Sequence, residues 1–194
     1  MIALRVITAV FCVFVAVPLL WLVWAAFLPA EAIVQANLAT FGFSLQNFLD
    51  LPDSGLFRAL GISLLATGLV VAGQLGFGLG AAYAIRTGLR VQAVILALLA
   101  LPTELLLVPL YRQLGTLSLL DTLSALILPF LASPLVVFLL VQSLRRVPWE
   151  LVEAARLDGA NELTIATRII APVLRPDLLA TGVLAFAAHW NLVL

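Results

Sequence analysis

Residues with the chemistry needed for catalysis are scarce in this chain. Among its 194 residues there is one histidine, His189, one cysteine, Cys12, and no lysine. A metalloprotease signature of the form H-E-x-x-H needs two histidines, and no serine–histidine arrangement is present either. A Walker-type phosphate-binding loop needs a lysine, so the chain does not itself hold ATP in such a loop. We therefore expect no catalytic residue, no metal site, no cofactor and no enzymatic activity.

Charged residues are concentrated in residues 145–177, which hold five of the ten arginines and five of the ten acidic residues. The chain as a whole is 64% hydrophobic, with a mean hydropathy of +1.20. A polar cluster between apolar runs of membrane length is typical of a water-exposed loop. The net charge of zero gives no indication of a nucleic-acid partner.

The first half of this polar loop predicts a helix. Pro148 suits a first helical turn, and the carboxylates of Glu150 and Glu153 favour the positive start of a helix. Gly159 is placed to end the helix in a left-handed cap, which requires a positive φ.

The second half predicts another helix. Asn161 can cap it, and we expect it to run to Ile170, where Pro172 ends it. By composition alone, an ordinary loop helix explains the same residues.

The motif spacing is more specific than the composition. Glu153-Ala154-Ala155 is followed after three residues by Gly159, and nine further residues lead to Ile169-x-Ala171-Pro172. This pattern resembles the E-A-A loop in the permeases of importers powered by ATP-binding-cassette (ABC) subunits. The family has leucine where this chain has Ala171.

The resemblance extends over most of residues 40–194. It includes Ala81-Ala82-Tyr83-Ala84, Val108-Pro109-Leu110-Tyr111, Pro148-x-Glu150-Leu151 and Trp190-Asn191. The chain is most similar to the carbohydrate-uptake branch of the family, the maltose and glycerol-phosphate type. That branch carries sugars or sugar-like polar solutes.

The resemblance implies a coupling helix that docks on a separate cytoplasmic ATPase. The residues expected to couple to that ATPase are Glu153, Ala154, Ala155, Asp158, Gly159 and Pro172. The implied partners are the ABC ATPase subunits, a second permease subunit, an external solute-binding protein and the membrane lipid. No nucleic acid is among them.

Apolar runs predict an all-α, polytopic membrane helix bundle in a single domain, residues 1–194. The five predicted spans are residues 6–28, 59–85, 91–111, 122–144 and 173–194, and the E-A-A loop is residues 145–172. A cleaved signal peptide is the alternative for the first run, but 23 apolar residues exceed the usual length. The family normally has six spans, so we expect a truncated form or a natural five-span form.

Arginine placement predicts the orientation. With the amino terminus in the cytoplasm, eight arginines lie inside and only Arg58 and Arg112 lie outside. This orientation puts residues 145–172 on the cytoplasmic side, and the family resemblance implies that the membrane is the cell membrane of a prokaryote.

A ridge of small residues recurs in the second run: Gly68, Ala72, Gly76, Gly80 and Ala84. Such a ridge allows another helix to approach closely in a membrane. We refer to these five residues as the small-residue ridge.

Polar groups within the apolar runs are the candidates for the solute pathway. They are Glu104, Tyr111, His189, Trp190 and Asn191, with Gln74 as a further polar group at membrane depth. Each avoids lipid, so a structural role between helices is as good an explanation as solute contact. An ion-coupled transporter, with Glu104 as its intramembrane acid, and a purely structural membrane subunit stay open as alternatives.

Overall fold

The computed structural model describes residues 2–29, 42–102 and 104–193. Every regular element in these ranges is a helix, which confirms the expected all-α class. The chain divides into two compact units, Met1–Leu60 and Gly61–Leu194.

The first unit contains α1, Ile2–Ala25, and the short helix α2, Gln46–Leu49. The side chain of Asn47 joins them, because its Nδ2 donates to the carbonyls of Ala26 at 3.0 Å and Leu28 at 2.8 Å. Residues 4–25 are long and apolar enough to cross a bilayer.

The longest helix is α3, Leu56–Arg86, with 31 residues, of which residues 61–86 belong to the second unit. At a rise of 1.5 Å per residue it is about 46 Å long, whereas the hydrocarbon core of a bilayer is about 30 Å thick. A helix of this length must tilt or extend beyond the hydrocarbon. The buried residues of α3 are Ser63, Ala66, Thr67, Val70, Gln74, Gly78, Ala82 and Tyr83.

The predicted third run, residues 91–111, is divided in the structure between two helices. They are α4, Gln92–Leu99, and α5, Glu104–Thr116. Pro102 lies between them, and a proline disfavours helical geometry in the residue before it. The number of membrane crossings therefore stays a prediction.

The fourth run forms a bent pair of helices. Helix α6, Leu123–Ile127, continues as a 3₁₀ turn, Leu128–Phe130, and α7 follows at Pro134–Leu144 with a bend of 42°. Ser133 caps α7 by accepting from the amide of Val136, and Pro134 occupies the first helical turn, where its missing N–H breaks no bond.

Three helices complete the chain: α8, Glu150–Leu157; α9, Glu162–Val173; and α10, Arg175–Val193. Helices α9 and α10 meet at 84°. The expected helix end at Ile170 is wrong, because α9 continues past Pro172. A π turn at Ile165–Ile170 precedes the proline, and such a turn shifts the hydrogen-bond register so that the helix tolerates it.

Two single helices of the described residues, α1 and α3, have the length and composition for a membrane crossing, or up to four if each bent pair counts as one crossing. The mean hydropathy of these helices and their exposed apolar side chains agree with the expected membrane bundle.

The main core of the second unit lies where α3, α7, α8, α9 and α10 meet. Its largest fully buried side chains are Val136, Leu140 and Leu144 of α7, Val152 of α8, and Ile165 and Ile170 of α9. Removing such a side chain from water stabilises a fold by about 1.5–3 kcal/mol. The polar loop is therefore attached to the bundle by a shared apolar core.

The three glycines of the small-residue ridge do not pack against another helix in the part of the chain that the structure describes. A Cβ at Gly68, Gly76 or Gly80 would have no heavy atom within 4 Å. The close approach occurs on another face of α3, where a Cβ on Gly78 would lie 2.9 Å from Val136 Cγ1 and 3.2 Å from Leu140 Cδ1.

The matched substitutions Gly78→Ala and Gly76→Ala test this packing. Both gain about 1 kcal/mol of helix propensity, but only Gly78→Ala crowds α7, at a cost of about 1–3 kcal/mol. We expect Gly78→Ala to melt at a lower temperature than Gly76→Ala in detergent. Equal melting temperatures would contradict the contact between α3 and α7.

Candidate functional site

The polar loop forms a helical hairpin, α8 and α9, that has an inner and an outer side. On α8, Val152 and Ala155 are buried, whereas Leu157 is 89% exposed and Leu151 is also exposed. The acidic side chains of the first turn, Glu150 among them, lie at the positive end of the helix dipole. The outer side therefore presents apolar residues beside charged ones.

The turn between the helices is closed by a Schellman motif. The amide of Ala160 donates to the carbonyl of Ala155 at 2.9 Å, and the amide of Gly159 donates to that of Arg156 at 3.0 Å. Gly159 has φ of 83°, which confirms the predicted left-handed cap. A side chain with a Cβ is strained in this conformation.

Helix α9 repeats the two-sided pattern. Its cap is Asn161, whose side chain accepts from the amide of Thr164 at 2.8 Å, as the sequence predicts. Ile165 and Ile170 are fully buried, while Leu163 is 73% exposed. Both hairpin helices thus bury one apolar face and leave leucines on the other.

A polar cluster of Tyr83, Arg156 and Glu162, here the Tyr83 cluster, joins the hairpin to the end of α3. The Tyr83 hydroxyl donates to Glu162 Oε2. Arg156 donates from Nε to Glu162 Oε1 and from Nη2 to Oε2, both at 3.2 Å, and its Nη2 lies 3.4 Å from the Tyr83 hydroxyl.

These contacts stabilise the ionised form of the Glu162 carboxyl. The hydrogen bond from Tyr83, followed by that from Arg156, lowers the pKa of the Glu162 carboxyl from its ordinary value. Because this pKa is lowered, the attraction of the Glu162 carboxylate for Tyr83 and Arg156 is fully present at neutral pH. It is lost only as the pH falls below 4.5, the ordinary pKa of this carboxyl.

An aromatic contact lies beside this cluster. The Arg86 guanidinium lies 4.9 Å from the centroid of the Trp149 ring, and that of Arg156 lies 5.9 Å from the same centroid. Arginine near the face of an indole gains a cation–π attraction of about 0.5–1 kcal/mol at an exposed site. Trp149, the residue before α8, thus contacts both α3 and the hairpin.

A second polar cluster closes the base of the hairpin. Arg146, just after α7, forms an ion pair with Asp177 in the first turn of α10. The Ser143 hydroxyl donates to Asp177 Oδ1 at 3.0 Å and accepts from Arg146 Nη2 at 3.2 Å. The chain segments entering and leaving the hairpin are therefore held together.

The structure places the predicted coupling residues on one hairpin but not on one face. Those on the exposed side are Glu153, Ala154, Asp158 and Pro172, while Ala155 is buried and Gly159 forms the turn. Ala155 and Gly159 therefore shape the hairpin, and the exposed members are available to a partner.

The candidate solute-pathway residues have diverse surroundings. Tyr111 on α5 is 66% exposed. On α10, His189 is 5% exposed with its ring centroid 5.1 Å from that of Phe130, and Trp190 stacks on Phe186.

The remaining two candidates, Asn191 and Glu104, give no evidence of a solute pathway shared with the other three. Asn191 donates to the Ala187 carbonyl of its own helix at 2.8 Å, and the side chain of Glu104 lies outside the described residues. Among the side chains that the structure describes, no aromatic contact or hydrogen bond joins Tyr111 to the α10 candidates. Gln74, the further polar group, donates to the Phe130 carbonyl at 2.8 Å, which is a structural role.

Sequence reasoning missed both polar clusters. Arg156 and Glu162 are six residues apart across a predicted turn, which is a usable signal for an ion pair. Tyr83 lies 79 residues before Glu162, and no local pattern indicates a contact over that separation.

The family model described as "Binding-protein-dependent transport system inner membrane component" matches residues 74–194. The arabinooligosaccharides transport system permease protein AraQ of Halalkalibacterium halodurans is 30% identical, over 93% of this chain and 69% of AraQ. The trehalose transport system permease protein SugB of Mycobacterium tuberculosis is 30% identical, over 90% of this chain and 66% of SugB.

Further matches extend the same pattern. The sn-glycerol-3-phosphate transport system permease protein UgpE of Rhizobium meliloti is 33% identical, over 75% of this chain and 56% of UgpE. A chain from the crystal structure of a bacterial ABC transporter involved in alginate import has a TM-score of 0.79 at 20% identity, over 98% of this chain and 70% of that one. This chain thus spans about two thirds of the length of AraQ and SugB.

Substitution of Gly159 tests the turn. Gly159→Val forces a β-branched residue to a φ of 83°, at a cost of about 1–2 kcal/mol, whereas Gly159→Asn is tolerated better because asparagine adopts this region more readily. We expect trypsin to cleave after Arg156 and Arg168 faster in the valine variant than in the asparagine variant. Equal cleavage rates would show that the cap does not hold the hairpin.

Proposed function

The chain belongs to the family of binding-protein-dependent transport system inner membrane components, and we propose that it is a permease subunit of an ABC importer for sugars or sugar-like polar solutes. The two-sided hairpin is the observation that supports this most, because it combines the E-A-A spacing with an exposed apolar surface. The names of the relatives support the solute class: arabino-oligosaccharides, trehalose and glycerol 3-phosphate.

Family membership also bears on the reaction class. The family is a membrane transport component and not an enzyme, so the chain moves a solute and a separate subunit hydrolyses ATP. The bacterial relatives and the inner-membrane family place it in a bacterial inner membrane. We propose that its amino terminus and its hairpin face the cytoplasm, on the evidence of the arginine distribution.

The family implies an ATPase partner and a solute-binding protein. We propose that the ATPase binds the outer side of the hairpin, where Leu157 and Leu163 are exposed next to charged residues. A helix that lays an apolar face into a groove is a recurrent recognition mode. The exposed coupling residues Glu153, Ala154 and Asp158 lie on the same hairpin.

A second permease subunit is the proposed neighbour of α3 in the membrane. The small-residue ridge supports this, because its glycines have open space around them and such ridges allow helices to pack closely in lipid. The other exposed apolar residues of the helices suit contact with membrane lipid.

For the solute pathway we keep Glu104, Tyr111, His189, Trp190 and Asn191 as the proposed residues. Tyr111 is 66% exposed, and aromatic side chains stack on sugar rings through their apolar faces. His189 is packed between helices, so its expected effect is on helix packing as well as on transport.

Import into proteoliposomes tests the function. We expect the chain, assembled with its ATPase and partner permease, to import a radiolabelled oligosaccharide only when ATP is inside and the loaded binding protein is outside. Import driven by an ion gradient without ATP would favour the ion-coupled alternative, and ATPase stimulation without import would favour a structural subunit.

The docking surface is tested by Leu157→Asp. Burial of a leucine contributes about 1.5–3 kcal/mol, so its replacement by a charge should weaken ATPase retention by about tenfold or more. The matched control is Leu117→Asp, an exposed leucine that lies outside the hairpin, just after α5. Equal ATPase retention by both variants would contradict the proposed docking surface.

Cysteine labelling tests the orientation. In a Cys12→Ala background, Leu163→Cys should react with a membrane-impermeant maleimide only from the cytoplasmic side, and Leu117→Cys only from the outside. Both leucines are exposed, so reactivity reports sidedness. Labelling of Leu163→Cys from outside would overturn the orientation.

A further inference from the structure

We propose that Tyr83 is the positioning residue through which movement of the hairpin reaches α3, with Arg156 and Glu162 holding its hydroxyl. This inference rests on the proposed function, because it assumes that an ATPase docks on the hairpin and moves it. The observations that carry it are the contacts of the Tyr83 cluster and the leucines beside it.

Tyr83 attaches α3 to the hairpin through one specific group. It lies in the last turn of α3 and is only 7% exposed. A buried phenol needs a hydrogen-bond partner, and loss of that partner leaves a buried polar group unsatisfied. The partner is a carboxylate of α9, so any displacement of α9 changes this bond directly.

Glu162 is held in place by Arg156 from the opposite helix of the hairpin. The two nitrogens of Arg156 contact the two carboxylate oxygens, and this forked geometry fixes the direction of the carboxylate as well as its position. Because Arg156 also contacts the Tyr83 hydroxyl, α3, α8 and α9 meet in one closed set of hydrogen bonds.

The same two charged residues are adjacent to the proposed docking surface. Arg156 precedes Leu157, and Glu162 precedes Leu163, the two most exposed leucines of the hairpin. A partner that moves these leucines therefore moves both charged groups. Helix α3 is a continuous rod of 31 residues, which makes it suited to carry a displacement from the hairpin into the membrane.

Contacts that do not involve the Tyr83 hydroxyl keep the hairpin attached to the bundle when that hydroxyl is removed. Trp149 contacts Arg86 of α3 through its ring, and the core residues Val152 and Ile165 stay buried. Tyr83→Phe consequently separates transmission of movement from attachment of the hairpin.

The test is the ratio of imported solute to hydrolysed ATP in the reconstituted complex. We expect Tyr83→Phe to lower this ratio by about tenfold, the order that corresponds to one lost hydrogen bond to a charged group, while ATPase retention stays at the wild-type level. The matched control is Thr87→Val, just after α3, because among the described contacts the Thr87 hydroxyl bonds only to the nearby Ala84 carbonyl. A wild-type ratio in Tyr83→Phe would overturn the proposal.

A distance measurement distinguishes transmission from a merely structural role. Spin labels at Leu89, after α3, and Thr167, on α9, are placed in a Cys12→Ala background of the full complex. We expect a narrow distance distribution that nucleotide leaves unchanged in the wild-type sequence and a broad, nucleotide-dependent one in Tyr83→Phe. A narrow, unchanged distribution in the variant would contradict the proposal.

Further outcomes separate this inference from the proposed function. If the Tyr83→Phe complex does not assemble, Glu162→Gln replaces it as the test, since this substitution keeps the side-chain shape and removes the charge. A similar fall in the ratio of imported solute to hydrolysed ATP supports the proposal, and a wild-type ratio overturns it. A wild-type complex that imports no solute would overturn the proposed function, and the spin-label distances would then still decide whether Tyr83 ties α3 to the hairpin.

Discussion

Burial of one apolar face of the hairpin is the interaction on which the rest of the structure depends. Val152, Ile165 and Ile170 share a core with α3 and with the end of α7. Without this core, a segment rich in charges would be a solvated loop, because its charged groups gain nothing from leaving water. With it, the hairpin is a structured part of the bundle, and its remaining leucines are available for a second partner.

The polar clusters add direction to this attachment. Apolar burial is not directional and tolerates small slides of one helix along another. Hydrogen bonds to a charged group have a defined geometry, and here they tie the hairpin at two places, Tyr83 with Glu162 near the turn and Arg146 with Asp177 at the base. The hairpin is the proposed coupling element, and the two clusters tie it to the bundle at both ends.

Much of this arrangement could be predicted from the sequence, because it depends on local rules. The all-α class, the Gly159 turn and the Asn161 cap follow from residue type and spacing alone. The family follows from the E-A-A pattern, and its model matches residues 74–194. The continuation of α9 past Pro172 was not predictable, because the π turn that permits it has no sequence signature.

Contacts between distant segments could not be predicted, because a local pattern does not identify the segment that it will meet. The small-residue ridge has the right period for close packing, yet the chain packs α7 against Gly78 on another face of α3. Periodicity identifies a face that permits approach and does not identify the helix that approaches. The Tyr83 cluster likewise depends on the tertiary fold, which brings together residues 79 positions apart.

Hydrogen exchange measured on the assembled protein tests the central claim that the hairpin and the bundle form one unit. We predict that the amides of Val152 and Ile170 exchange as slowly as those of Leu140 and Leu144 in α7, because they share one core and open together. Hairpin amides that exchange at the rate of an open loop, while those of α7 stay protected, would contradict it.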